Sequence, residues 1–203
     1  MLAAVFAALV GALSWLAKSA VAGMVWFYNR LTREIEMTVA LRAEIETCVK
    51  SLETFAKEET ASSIKAQMAA SQDYRIFVPL DRDYFIFDLI KPDISLLPEA
   101  SIREVVKFYD GMGAFDTLLA SFQDVRFESF PVERRMGYID SMIGAAANVL
   151  SDGAAATEVL ANARRRLLAK RNVSLAVLVV GLGVSALGAG AFARSVAAYC
   201  GVG

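Results

Sequence analysis

From Val173 to Ala193 the chain runs for 21 residues without a charge, within NVSLAVLVVGLGVSALGAGAFA from Asn172. Arg164, Arg165, Arg166, Lys170 and Arg171 precede this stretch and Arg194 closes it. A helix of that length spans roughly 31 Å at about 1.5 Å per residue, the thickness of a bilayer's hydrocarbon core. The stretch reads as a transmembrane helix. Every other assignment has to accommodate it.

A second apolar segment opens the chain. Residues 1–28 are apolar except for Lys18, and Trp26-Phe27-Tyr28 followed by Arg30 and Arg33 has the form of an interfacial aromatic belt with a cytoplasmic anchor. Ala20-Val21-Ala22 also fits a signal-peptidase pattern, but no basic region precedes the apolar run, and the run continues past that point. An uncleaved anchor is therefore the expectation. Lys18 would fall near the bilayer centre, at a cost of about 3 kcal/mol or more. A longer, tilted segment lets its ammonium snorkel to the interface. The alternative is a water-filled pore or cavity lined by Gly11, Ser14 and Lys18.

Between the two apolar ends lie all 22 acidic residues and 19 of the 21 basic ones, a net charge of −3 for residues 29–172. That balance argues against a nucleic-acid-binding body. The chain has no histidine, which removes the commonest general acid/base and metal ligand. Two cysteines, Cys48 and Cys200, make no disulfide framework.

Hydrophobic periodicity divides this middle part into helices. Residues 29–72 contain no proline or glycine and read as one amphipathic helix continuous with the first span. Leu41, Ile45, Cys48, Leu52 and Phe55 repeat at 4-3-4-3 spacing, a seam that either lies within a bundle or serves self-association. Glu59, Ser62 and Ala66 continue the register with polar or small residues, so the seam weakens there. Tyr74–Val78 and Tyr84–Phe87 are β-branched and aromatic runs around Pro79. They admit a short β-hairpin, or an extended segment followed by a short helix ending near Pro92, which is the preferred reading. Leu97-Pro98-Glu99 and Phe130-Pro131-Val132-Glu133 each carry a helix-start signal. The first precedes Ile102, Val105, Phe108, Tyr109, Met112, Phe115, Leu119 and Phe122 at helical spacing, with Gly111 and Gly113 marking a close helix crossing. Ser151-Asp152-Gly153 reads as a soft break, after which Thr157–Arg171 feeds into the second span.

Few groups invite chemistry. Gly181, Ser185, Ala189 and Ala193 form a small-residue row at i,i+4 intervals, suited to close packing between membrane helices. Their glycine pairs do not make a nucleotide-binding fingerprint, because no strand precedes them. Arg164, Arg165, Arg166, Lys170 and Arg171 read as topology anchors that also attract anionic lipid headgroups. Glu34/Glu36, Glu44/Glu46 and Glu58/Glu59 read as solvated helix surface. Asp81, Asp83 and Asp88, near Arg82, are the acids to check for a site, and would suit only Mg²⁺ or Ca²⁺.

Phe77-Val78-Pro79, Phe85-Ile86-Phe87-Asp88, Ile94-Ser95-Leu96-Leu97-Pro98 and Val105-Val106-Lys107-Phe108-Tyr109 together form a pattern. It resembles that of uncharacterised bacterial membrane-anchored helical proteins, over roughly the middle half of the chain. The resemblance implies a bacterial inner-membrane origin and no known activity.

The expected fold is thus all-α: a transmembrane helix over 1–28, a cytoplasmic antiparallel helical bundle with a long stalk over 29–172, and a second transmembrane helix with a short outer tail over 173–203. The positive-inside rule places the body in the cytoplasm and both termini outside. The expected function is non-enzymatic, without cofactor, metal or small-molecule substrate: a scaffold that binds membrane lipid and a protein partner or itself. A pore-forming or membrane-perturbing effector is the rival, and an enzyme using the Asp81–Asp88 region the weakest reading.

Overall fold

The computed structural model describes residues 2–71, 74, 84–124, 127 and 129–199, with side chains at these positions except 2–4, 6, 7, 9, 178 and 180–199. Five α-helices account for most of them: α1 (Leu2–Leu52), α2 (Glu58–Ala70), α3 (Phe85–Ile90), α4 (Glu99–Gln123) and α5 (Val132–Tyr199). A 3₁₀ turn, Lys91–Leu96, follows α3. No strand occurs among the described residues. The second run of the conceivable hairpin is α3, so that hairpin does not form through Phe85–Phe87; residues 75–83, including Pro79, lie outside the described residues.

The chain divides into two compact units, Met1–Ile35 with Arg165–Gly203, and Glu36–Arg164. In the first, α1 is long and apolar enough to cross a membrane, and none of its apolar stretch is buried. Leu13, Trp15 and Trp26 are each more than 60% exposed. The start of the second apolar stretch, Val173 to Val179, likewise shows exposed valines and a leucine. Leu31, Ile35 and Leu167 form a small buried cluster with Leu168 against it. Beside this cluster Glu34 is buried and accepts a hydrogen bond from Arg30 Nε at 3.0 Å, while the same guanidinium lies over Trp26. Glu34 is therefore not the solvated charge its spacing implies.

The second unit is a helical bundle around one core. Thr38, Leu41, Ile45 and Leu52 of α1 are buried in it, together with Phe108, Met112 and Phe115 of α4 and Ile139, Met142 and Leu160 of α5. α4 and α5 run antiparallel. Lys107 Nζ donates to Asp152 Oδ1 at 2.7 Å, and one turn on, Gly111 lies against Val149. That hydrogen bond to Asp152 raises the Lys107 pKa above the ordinary lysine value.

Two boundaries differ from the expectation. The stalk stops at Leu52, whose carbonyl accepts the amides of Phe55 (2.9 Å) and Ala56 (3.1 Å), and α2 restarts at Glu58. A straight continuation would turn Glu59, Ser62 and Ala66 inward. The break brings Ala61, Ile64 and Met68 inward instead. Burying Ile64 and Met68 contributes roughly 1.5–3 kcal/mol each, more than a few solvated backbone hydrogen bonds cost to lose. Glu58 and Glu59 then occupy the first turn, where the helix dipole favours acids.

The second difference is at Gly153, which is not a break: α5 is continuous through it. A Cβ there would lie 2.4 Å from Val49 Cγ2 and 3.1 Å from Phe108 Cε2. The glycine is present because α1 and α4 both crowd its Cα. Gly111 is also a close approach, with Val149 Cγ2 3.1 Å from a would-be Cβ, whereas Gly113 faces open space. Pro98 and Pro131 stand immediately before their helices, as their sequence signals predict.

Candidate interaction site

The most developed polar arrangement in the helical body is centred on Glu44 of α1. Its two carboxylate oxygens accept the backbone N–H groups of Ile86 (2.8 Å) and Phe87 (3.0 Å). These are the second and third residues of α3, whose own N-cap, Tyr84, supplies no side-chain capping bond to them. Orphan amides at a helix start need an acceptor, and here another helix provides it. Glu44 also accepts the Tyr109 hydroxyl of α4. Tyr109 is buried, and burial followed by the bond to Glu44 pushes its pKa far above the ordinary tyrosine value.

Aromatic packing completes the mount. The Phe87 ring stacks on Tyr109, centroids 3.9 Å apart and 11° from parallel, and Tyr84 meets Tyr109 edge-on at 5.6 Å. The Tyr84 hydroxyl donates to Asp116 of α4. Ile90 is buried at the far end of α3. The inner face of this six-residue helix is thus held by α1 and α4. Its outer face is the opposite case: Phe85 is 68% and Leu89 66% exposed, one helical turn apart, with Tyr84 and Asp88 lining the same shallow cavity. Lone exposed apolar residues are ordinary, but two large ones adjacent on a rigidly mounted helix make a small contact patch.

The residues singled out from sequence fall in different places. Leu41, Ile45 and Leu52 are buried, and Phe55 is half-buried with its ring 6.1 Å from that of Phe115. Most of the seam therefore packs inside this chain's own core, with Cys48 and Phe55 partly buried at it. Lys18, Gly11 and Ser14 are exposed along α1. Arg164, Arg165, Arg166 and Lys170 are exposed and Arg171 half-buried. Gly181, Ser185, Ala189 and Ala193 lie on the helical backbone of α5, outside the described side chains. Asp81, Arg82 and Asp83 are outside the described residues altogether. Asp88 is exposed and paired with Lys91 Nζ at 3.2 Å. Among the described residues no group of His, Cys, Asp and Glu could hold a metal ion.

Sequence reasoning missed Glu44, set aside as surface charge, and Arg135, the largest fully buried side chain. For Glu44 one signal existed: it is three residues from Leu41 and one from Ile45, at the margin of the seam. Nothing local marks Arg135. An aromatic brace at the α4–α5 connection was also unforeseen, with Phe130 stacked on Tyr138 and Arg134 lying 4.1 Å above the Phe130 ring. A cavity of about 370 Å³ lined by Ser121, Asp124, Phe127, Phe130 and Tyr138 sits there. Compared with known proteins, the chain matches no family model, no curated protein and no solved structure.

Proposed function

We propose that the chain is a two-span inner-membrane scaffold whose cytoplasmic helical body presents α3 to a protein partner. The observation that carries this reading is the contrast within α3. Its inner face is tied down by Glu44, Tyr109 and Asp116, while Phe85 and Leu89 stand in solvent. Ordering a six-residue helix against its neighbours lowers the entropy that a partner's binding would otherwise have to overcome. The exposed apolar half of α1 and the charge-free stretch from Val173 support the membrane attachment, and the basic residues next to both support a cytoplasmic body.

The test is site-specific photocrosslinking in native membranes. A photoreactive side chain at position 85 or 89 should give one discrete adduct, whether to another protein or to a second copy, and position 114, exposed on α4, should give none. With the probe at position 85, Leu89→Glu should abolish the adduct and leave folding within about 0.5 kcal/mol, as expected for an exposed position. A particle that stays monomeric and adduct-free at 85 and 89 would exclude the scaffold reading.

A further inference from the structure

In the first unit a small groove is lined by Met24, Val25 and Tyr28 of α1 and by Ser174 and Leu175 of α5. We infer that this groove holds one anionic phospholipid of the cytoplasmic leaflet, with Lys170 and Arg171 on its headgroup. The inference rests on the two-span reading above.

The groove has a direction. Its lining is apolar, and Tyr28 and Ser174 are the lining residues nearest in sequence to the basic residues that flank the two apolar stretches, with Met24, Val25 and Leu175 on the other side of them. Its volume of about 130 Å³ is well below the roughly 300–1,000 Å³ of pockets that enclose a whole small molecule. It suits instead a few methylenes of a chain that continues into surrounding hydrocarbon. Lys170 and Arg171 lie one helical turn before Ser174 and Leu175, and helix side chains lean toward the N-terminus, so both cations reach past the Tyr28–Ser174 end. There a phosphate would sit at the level of the aromatic belt, beside Tyr28.

Partnering separates these two cations from Arg30. The Arg30 guanidinium is engaged by Glu34 and by the Trp26 ring. Lys170 and Arg171 have no ion pair among the described residues, and the Lys170 carbonyl, not its ammonium, takes the Ser174 hydroxyl at 2.9 Å. Basic pockets between membrane helices on the cytoplasmic side bind acidic headgroups on this principle.

The experiment uses the full chain in nanodiscs of phosphatidylcholine containing phosphatidylglycerol, followed by release into mild detergent and native mass spectrometry. The expected result is one phosphatidylglycerol retained per chain in preference to phosphatidylcholine. Lys170→Gln with Arg171→Gln should reduce retention at least about tenfold, the scale expected for losing two headgroup-facing charges. Leu175→Trp, which fills the groove and leaves charge unchanged, should do the same. Arg164→Gln with Arg166→Gln should have less than a threefold effect. An equal loss from this control, or full retention by Leu175→Trp, would show diffuse surface attraction and overturn the inference. Alkaline carbonate extraction separates the two levels: release of the protein defeats the membrane reading, whereas a retained protein without lipid preference defeats only this inference.

Discussion

Glu44 and Tyr109 are the residues on which the α3 mount depends. Glu44→Ala removes the acceptor for two α3 amides and a buried hydroxyl. The hydrated amides recover part of that loss, so we expect about 2–3 kcal/mol of destabilisation by chemical denaturation, with hydrogen exchange at Ile86 and Phe87 accelerated before the core opens. Glu44→Gln keeps one acceptor but turns a donor toward the second amide, and should fall in between. The Tyr109 hydroxyl supplies a pH signature. Its folded pKa is raised, so its contribution is fully present below the unfolded value near 10 and is lost as pH rises beyond it. Above that point the folded chain keeps a proton that the unfolded chain releases, and stability should fall by up to about 1.4 kcal/mol per pH unit. Tyr109→Phe should flatten that part of the slope relative to wild type; an unchanged slope would mean that the hydroxyl is not held as described. Neither role was legible in sequence, because Glu44 meets α3 across 42 residues of chain and helical periodicity carries no information at that range.

Glycines test the packing of whole elements. In α5, Gly153 is pressed by Val49 and Phe108, whereas Gly137 and Gly144 have nothing within 4 Å of a would-be Cβ. Alanine in a helix interior is favoured over glycine by about 1 kcal/mol, and overpacking costs typically 1–3 kcal/mol. Gly137→Ala and Gly144→Ala should therefore raise stability by about 0.5–1 kcal/mol, while Gly153→Ala should lower it by about 1–2 kcal/mol, read from denaturation midpoints. A stabilising Gly153→Ala would mean that α1 and α4 do not approach α5 as closely as described. Elements of this type were largely readable in advance: the apolar spacing of α4 and the proline signals at Pro98 and Pro131 depend on neighbours within four residues. The end of α1 was not readable, since Glu53–Lys57 contains no helix breaker. That break is set by which of two registers buries Ile64 and Met68, a tertiary choice. Gly153 misled for the same reason, as a local punctuation signal that a close helix crossing produces equally well.

At the scale of the whole chain, the proposed orientation rests on charge placed beside apolar length. Arg30 and Arg33 follow the first apolar segment, and five basic residues crowd the eight positions before the second. Basic residues within about 15–20 positions of a span end resist translocation, whereas acidic residues contribute little, so the net charge of −3 over 29–172 does not reverse the assignment. Alkaline phosphatase fused after residue 120 should accordingly be inactive, and the same reporter fused after residue 203 should be active. On the proposed two-span topology, replacing Arg164, Arg165, Arg166, Lys170 and Arg171 together by glutamine removes the anchor of the second span without touching its hydropathy. The C-terminal reporter should then lose most of its activity while the fusion at 120 stays silent, because Arg30 and Arg33 still hold the first span. Activity at residue 120 in the unaltered chain would invert the topology. It would also expose Phe85 and Leu89 on the opposite side of the membrane, where the partner proposed for α3 would have to be sought instead.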